Sequence, residues 1–353
     1  MSPRTPQFSS RQPASRLKSL VPAAVAGIGV LALSACSGGA GDATGDATAD
    51  ASITVVTTTS VYADVVEQVA GDNVEVVPVI DSPAQDPHSY EATPQDRLTV
   101  EDADLVVLNG GGYDAFMEDL VEEAGAPVVN AVEVSGLEGS EEGHDHDHDH
   151  EGEDHAAEDH ATEEAGHSHD EEGHSHDHGS FNEHVWYDLD SVTKTADAVA
   201  EELGTLDGDN SQTYQDNAQA FGEEVEGLHE RVSGLGLEGD YAATEPVAGY
   251  LLEDAGLHDV TPTEFTVAVE DGTDAAPLVY DEVRTLVEDE QVQLLAYNEQ
   301  TSTGQSQDLR TVAEQAGLPV VSFSENLPED TGYLDWMSGN IDSLEQAMGG
   351  SGQ

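Results

Sequence analysis

Residues 53–80, ITVVTTTSVYADVVEQVAGDNVEVVPVI, decide the fold class. Ile53-Thr54-Val55-Val56-Thr57 is a β-branched run of strand length, Tyr62 to Val69 places apolar residues at helical spacing, and Gly71-Asp72-Asn73 stops that helix. Val74 to Ile80 is then a second apolar strand, so the stretch reads as one βαβ unit. The alternation continues with a helix over Pro94–Glu101, a strand over Leu105–Leu108 running into Asn109-Gly110-Gly111-Gly112, a helix over Ala115–Ala124 and a strand at Val128-Val129. Parallel strands need crossovers, and helices cover their faces, so this spacing predicts a parallel α/β lobe.

A second alternating block begins at Tyr241. Its expected strands are Tyr241–Thr244, Val260–Phe265, Leu294–Tyr297 and Val320–Phe323, and its expected helices Val247–Ala255, Ala276–Glu290, Ser306–Ala316 and Tyr333–Met348. Between the blocks, Val192–Leu203 reads as helix, and Asp209–Val232 as a long polar helix with Tyr214, Ala218, Phe221, Val225 and Leu228 on one face. The expected class is α/β: two lobes with parallel sheets, 52–205 and 235–350, joined by one long rigid helix at 206–234. Ligands of such folds bind beyond the carboxyl ends of strands and between lobes.

Composition bounds the ligand. The 353 residues hold 74 Asp and Glu against 9 Lys and Arg, a formal charge of −65, which excludes nucleic acid as a partner and points to a cation. A hydrophobic content of 37% is low, yet it is patterned as globular lobes require. Arg4, Arg11, Arg16 and Lys18 precede the apolar stretch Leu20–Ala35, and Leu33-Ser34-Ala35-Cys36 has the small-residue cleavage pattern of a secretory signal and resembles a bacterial lipobox. The expectation is a signal peptide at 1–35, a flexible tether at 36–51, and a protein lipid-anchored at Cys36 on the extracytoplasmic face of the membrane. With no other Cys there is no disulfide.

Eleven of the 15 His fall between Glu141 and Gly179 together with sixteen acidic residues. They are His144, His146, His148, His150, His155, His160, His167, His169, His174, His176 and His178. Imidazole alternating with carboxylate suits Zn²⁺ above other divalent ions, and a low-complexity acidic run that can bury nothing predicts a disordered insert, 136–180, with several weak, exchangeable metal sites. Four His lie outside it. His88 in Asp86-Pro87-His88-Ser89-Tyr90-Glu91 and His184 in Asn182-Glu183-His184-Val185-Trp186 each carry neighbours able to orient a ring for metal. His229 lacks the second His of a zinc-protease motif and reads as a solvated helix face, and His258 as a surface residue. Asn109 to Gly112 has no Walker residues after it and reads as a tight strand-to-helix turn.

The order of lipobox, βαβ units, Asp86-Pro87-His88-Ser89-Tyr90-Glu91-Ala92-Thr93-Pro94, Ala103-Asp104-Leu105, Asn109-Gly110, His-rich insert, His184-Val185-Trp186 and long helix resembles the zinc/manganese-type solute-binding lipoproteins of metal ABC importers. The resemblance spans Ile53 to Met348 and implies a divalent metal held between two lobes by four side chains. The first two map to His88 and His184. The third, typically His in zinc members and Glu in manganese members, maps to Glu245 in Thr244-Glu245-Pro246, and the fourth, usually Asp, to Glu325, with Glu299 as the competing acid. Asn182-Glu183 stands where Asp-Pro is common. Two imidazoles and two carboxylates balance a +2 ion, which a closed cleft requires.

The function expected is extracellular capture of a divalent metal, zinc ahead of manganese, and its delivery by a monomer to an ABC permease, with no catalysis. Two rivals differ in class. A surface metal buffer or adhesin would use the insert and keep the lobes as scaffold. A metallohydrolase would need an open coordination position and a general base, and no residue stands in a recognisable relation to the ligands as one.

Overall fold

The protein is described by a computed structural model over residues 53–140 and 181–349. The signal peptide, the tether, Cys36 and the eleven His of the insert lie outside the described residues. β1 (Ile53–Thr59) pairs in parallel with β2 (Val74–Ile80), from Ile53↔Val74 to Thr59↔Ile80, and α1 (Ser60–Ala70) makes the crossover. Val55 and Val56 face opposite sides of the sheet and both are buried, which is why β1 is continuously apolar rather than alternating. α1 turns Val61, Val65 and Val69, with Tyr62 and Val66, onto the sheet, and ends at Gly71, whose φ of +58° suits a residue without a side chain. α2 (Pro94–Glu101), β3 (Leu105–Leu108), α3 (Ala115–Ala124), β4 (Val128–Asn130) and the short α4 (Ala131–Ser135) complete the lobe. Its order is β2-β1-β3-β4, all parallel.

α5 (Leu189–Leu206) and the 23-residue α6 (Ser211–Ser233) lead to the second lobe. The face of α6 read from sequence is the buried one: Tyr214, Ala218, Phe221 and Val225 are all in the core. The second sheet is formed by β5 (Gly239–Ala243), β6 (Leu257–Asp259), β7 (Leu295–Asn298) and β8 (Val320–Phe323), joined through α7 (Gly249–Asp254), α8 (Thr263–Glu270), α9 (Pro277–Glu288) and α10 (Gly304–Ala316). It repeats the first topology, β6-β5-β7-β8 and parallel throughout. α11 (Tyr333–Gly349) then returns across both lobes: its Tyr333 amide donates to Asp64 and its Tyr333 hydroxyl to the Trp186 carbonyl. One apolar core runs without a break from β1 and α1 through α5 and α6 to β5, α7 and α11, so the lobes share packing rather than a bare linker.

Two expectations are corrected. The strand expected over Val260–Phe265 is a short β6 ending at Asp259, followed by α8, because Pro262 has no N–H for a ladder and its carbonyl accepts from Phe265 to open the helix. Residues 136–140, placed in the expected insert, are described with the first lobe, and Leu137 packs against the core.

Candidate metal centre

In each sheet the strand order reverses between the first and third strand of the lobe, which opens a crevice at the carboxyl ends. On the first lobe this crevice is bounded by Asn109 at the end of β3. Gly110, Gly111 and Gly112 follow with φ of +80°, +66° and +91°, and a Cβ on Gly110 would lie 2.3 Å from Asn130 Oδ1, so the turn is tight and glycine-dependent as read. The buried Asp114 carboxylate closes it by accepting from the Asn109 and Gly110 amides at 2.7 and 2.8 Å and from the Thr58 hydroxyl at 2.6 Å. Burial outweighs those hydrogen bonds and pushes its pKa up to about 6. The Asn109 side-chain amide donates to the Glu183 carbonyl at 2.9 Å, which positions the backbone just before His184.

His184 is fully buried, ahead of a single 3₁₀ turn at Val185–Tyr187. Its Nδ1 lies 2.8 Å from Asn182 Oδ1, and the orientation of that amide is set by its Nδ2, which donates to the Pro246 carbonyl at 2.9 Å. Asn182 Oδ1 can only accept, so Nδ1 carries the proton and Nε2 keeps its lone pair for the cleft. The Asn182-Glu183 departure noted in the sequence is thus an orienting group reaching from one lobe to the other. His88 lies in the loop after β2, its amide held by Asp86 Oδ1 at 2.9 Å and its ring edge-on to Tyr113 with centroids 4.9 Å apart. The two imidazole centroids are 5.8 Å apart.

The second lobe supplies carboxylates. Glu325, just beyond β8 and wholly buried, accepts from Asn298 Nδ2 at 2.6 Å and from the Tyr113 hydroxyl at 3.3 Å. Glu245, just beyond β5, accepts from the same Asn298 nitrogen at 2.6 Å and also from the Thr301 hydroxyl. One amide therefore bridges two buried acids. Burial drives both pKa values up, Glu325 to about 7, while the Asn298 hydrogen bond opposes the rise; for Glu245 the neighbouring Glu325 charge adds to it. Glu299 turns outward to Arg310 at 2.9 Å, on the exposed surface. His229 lies between Asp190 and Asp254 at 3.6 and 3.7 Å on the helical surface, and His258 is exposed in β6.

His88, His184 and Glu325 bring ligating atoms within 4.8 Å of one another, and His88 Nε2 is 3.7 Å from Glu325 Oε2. Glu245 joins through Asn298 and is not in that triad. Glu270, at the end of α8, stands 3.8 Å from His88 Nε2 and forms a further group with His88 and Glu183. Its pKa is pushed up to about 9, by burial first and then by Glu183. The sequence does not single it out, because the strand expected over Val260–Phe265 overlaps the start of α8 and Glu270 falls in the unassigned stretch after it, and it does not single out Asn298 because an amide carries no ligand signal. A helix start at Pro262 was the available clue.

No cationic side chain offsets these acids. All five Lys and Arg of the described residues are engaged elsewhere: Arg97 with Glu123, Lys194 with the Ser135 carbonyl, Arg231 with Asp342 and Glu345, Arg284 with Glu288, and Arg310 with Glu299 and Glu314. Four buried carboxyls facing two imidazoles are matched only by protons or by a cation of small radius.

Residues 55–347 match the family described as Zinc-uptake complex component A periplasmic (ZnuA). The chain belongs to that family. Among curated relatives it is 38% identical over 104 residues to the manganese ABC transporter substrate-binding lipoprotein PsaA of Streptococcus anginosus, covering 28% of this chain and 31% of that one. It is 27% identical over 202 residues to PsaA of Streptococcus mitis, covering 53% and 52%. The matched stretches thus span about a third to a half of those relatives. Among solved structures, the periplasmic zinc binding protein TroA of Treponema pallidum superposes with a TM-score of 0.63 at 18% identity, over 84% of this chain and 99% of that one. The Pseudomonas aeruginosa protein FpvC in complex with Mn²⁺ gives 0.62 at 22%, over 85% and 100%, so the two-lobed fold is that of the ZnuA family.

Proposed function

We propose that this protein is the substrate-binding component of a metal ABC importer, capturing a divalent transition metal in the cleft and handing it to a membrane permease. The observation that carries the reading is the convergence of His88, His184 and Glu325 from both lobes on one small, buried volume with no basic side chain in it. Glu245 is the proposed fourth ligand, brought to the metal by a small shift of the Asn298 bridge. Family membership and the relatives' names as manganese lipoproteins support the same reading. Cys36 is the proposed lipid anchor, which keeps the receptor beside its permease.

One observation favours Mn²⁺ as cleft cargo: an acid, Glu245, stands at the position where zinc members typically carry His, and hard oxygen donors suit Mn²⁺. The His-rich insert and the general affinity order favour Zn²⁺. Metal content of protein isolated from its native envelope decides between them. Isothermal titration of the mature chain tests the site: tight binding is lost in His88→Ala and in His184→Ala, and unchanged affinity in both ends the proposal. Deleting residues 141–179 separates receptor from buffer, because a receptor keeps one tight site whereas a buffer loses nearly all its metal.

A further inference from the structure

The ligating atoms of the cleft fall into two groups of three that share a residue. One is His88, His184 and Glu325; the other is His88, Glu183 and Glu270, and in each the atoms lie within 4.8 Å of one another. His88 Nε2 is 3.7 Å from Glu325 Oε2 and 3.8 Å from Glu270 Oε1. These separations exceed a hydrogen bond and fall in the range of about 3 to 4 Å spanned by two atoms that bind one ion. The groups differ in depth, since His184 and Glu325 have no exposure while His88, Glu183 and Glu270 keep some. The shallower group also crosses the cleft: Glu183 belongs to the first lobe, anchored by Asn109, and Glu270 to the end of α8 in the second.

We propose that His88, Glu183 and Glu270 form a transfer station at the mouth of the cleft, taking the divalent ion before His184 and Glu325 do and receiving it again on release. The inference rests on the receptor reading above. His88 stays bound throughout, and carboxylates exchange on the ion one at a time, so the ion need not shed all its ligands at once. Such a station lowers the barrier in both directions and adds nothing to the final bound state, which gives it a kinetic signature distinct from that of a ligand.

Stopped-flow mixing of the full mature chain with Mn²⁺ reads this out through Trp186, whose ring centroid lies 5.2 Å from that of His184. In Glu270→Gln, and separately in Glu183→Gln, association and dissociation should both slow by about tenfold while Kd stays within about twofold. Faster dissociation with unchanged association, and a Kd raised to match, overturns the station in favour of a permanent ligand. Rates equal to wild type overturn it outright. The two variants sit on different lobes, so if one fails to fold the other carries the test. His88→Ala and His184→Ala separate the levels: Mn²⁺ still bound tightly in both defeats the receptor reading itself, whereas binding lost in them with normal rates in both Gln variants defeats only the station.

Discussion

Asn182 and Asn298 do at the residue scale what no ligand can do for itself. Asn182 fixes the tautomer of His184, so Asn182→Ala should weaken metal binding by about 10- to 100-fold without unfolding the protein, measured by calorimetric titration. An affinity within twofold of wild type removes Asn182 from the site. Asn298 holds Glu245 and Glu325 close together, a placement that costs stability without metal. Glu325→Gln should therefore raise the melting temperature of the metal-free protein while weakening metal binding, the trade expected where strain serves function. A lower melting temperature would show that the acid pair stabilises the apoprotein instead. The histidines were legible as residues because their neighbours are distinctive; Glu270 and Asn298 were not, since in a chain with 74 acids one more Glu stands out only by where it folds.

At the scale of elements, most strands and helices could be read because buried parallel strands are continuously apolar and the helices between them keep one apolar face. β2, α2, β3, α3 and β8 have the bounds their sequences predict. The failure at Val260–Phe265 has a local cause: the β-branched and aromatic residues Val260, Thr261, Thr263 and Phe265 around Pro262 look like a strand unless the proline is given its weight as a helix start. The glycine turn after β3 is the element on which the first-lobe side of the cleft depends. Gly110→Ala places a Cβ against Asn130 at a positive φ and should cost about 1–3 kcal/mol in urea unfolding, with weaker metal binding as Asn109 moves. A loss below about 0.5 kcal/mol would mean that the turn relaxes freely.

The whole molecule carries its charge in a way that sets its pH response. Glu325 titrates at about 7 and Glu270 at about 9 in the folded state, and Asp114 at about 6, all above their unfolded values near 4. A raised folded pKa stabilises below the unfolded value, and that stability is lost as pH climbs through the folded one. The metal-free protein should therefore lose stability progressively from about pH 4.5 to about pH 9, followed by thermal unfolding at fixed ionic strength. Metal replaces the protons, so its stabilising effect should grow over the same window. A flat apoprotein profile contradicts the buried, uncompensated acids. The shared core through α5, α6 and α11 holds the two crevices face to face, which keeps those acids together rather than apart.

By itself the sequence determined two parallel α/β lobes, the long helix between them and a preference for a cation, and it singled out His88 and His184 as candidates, because each follows from local periodicity, distinctive neighbours or net charge. Only the tertiary structure decided that Glu325 and not Glu299 faces the cleft, that one asparagine bridges Glu245 and Glu325, and that Glu183 and Glu270 meet beside His88. The reason is physical: these partners lie from tens to nearly two hundred residues apart in the chain, and neither periodicity nor composition carries information across such separations. Folding both lobes against one core brings them within a few ångströms.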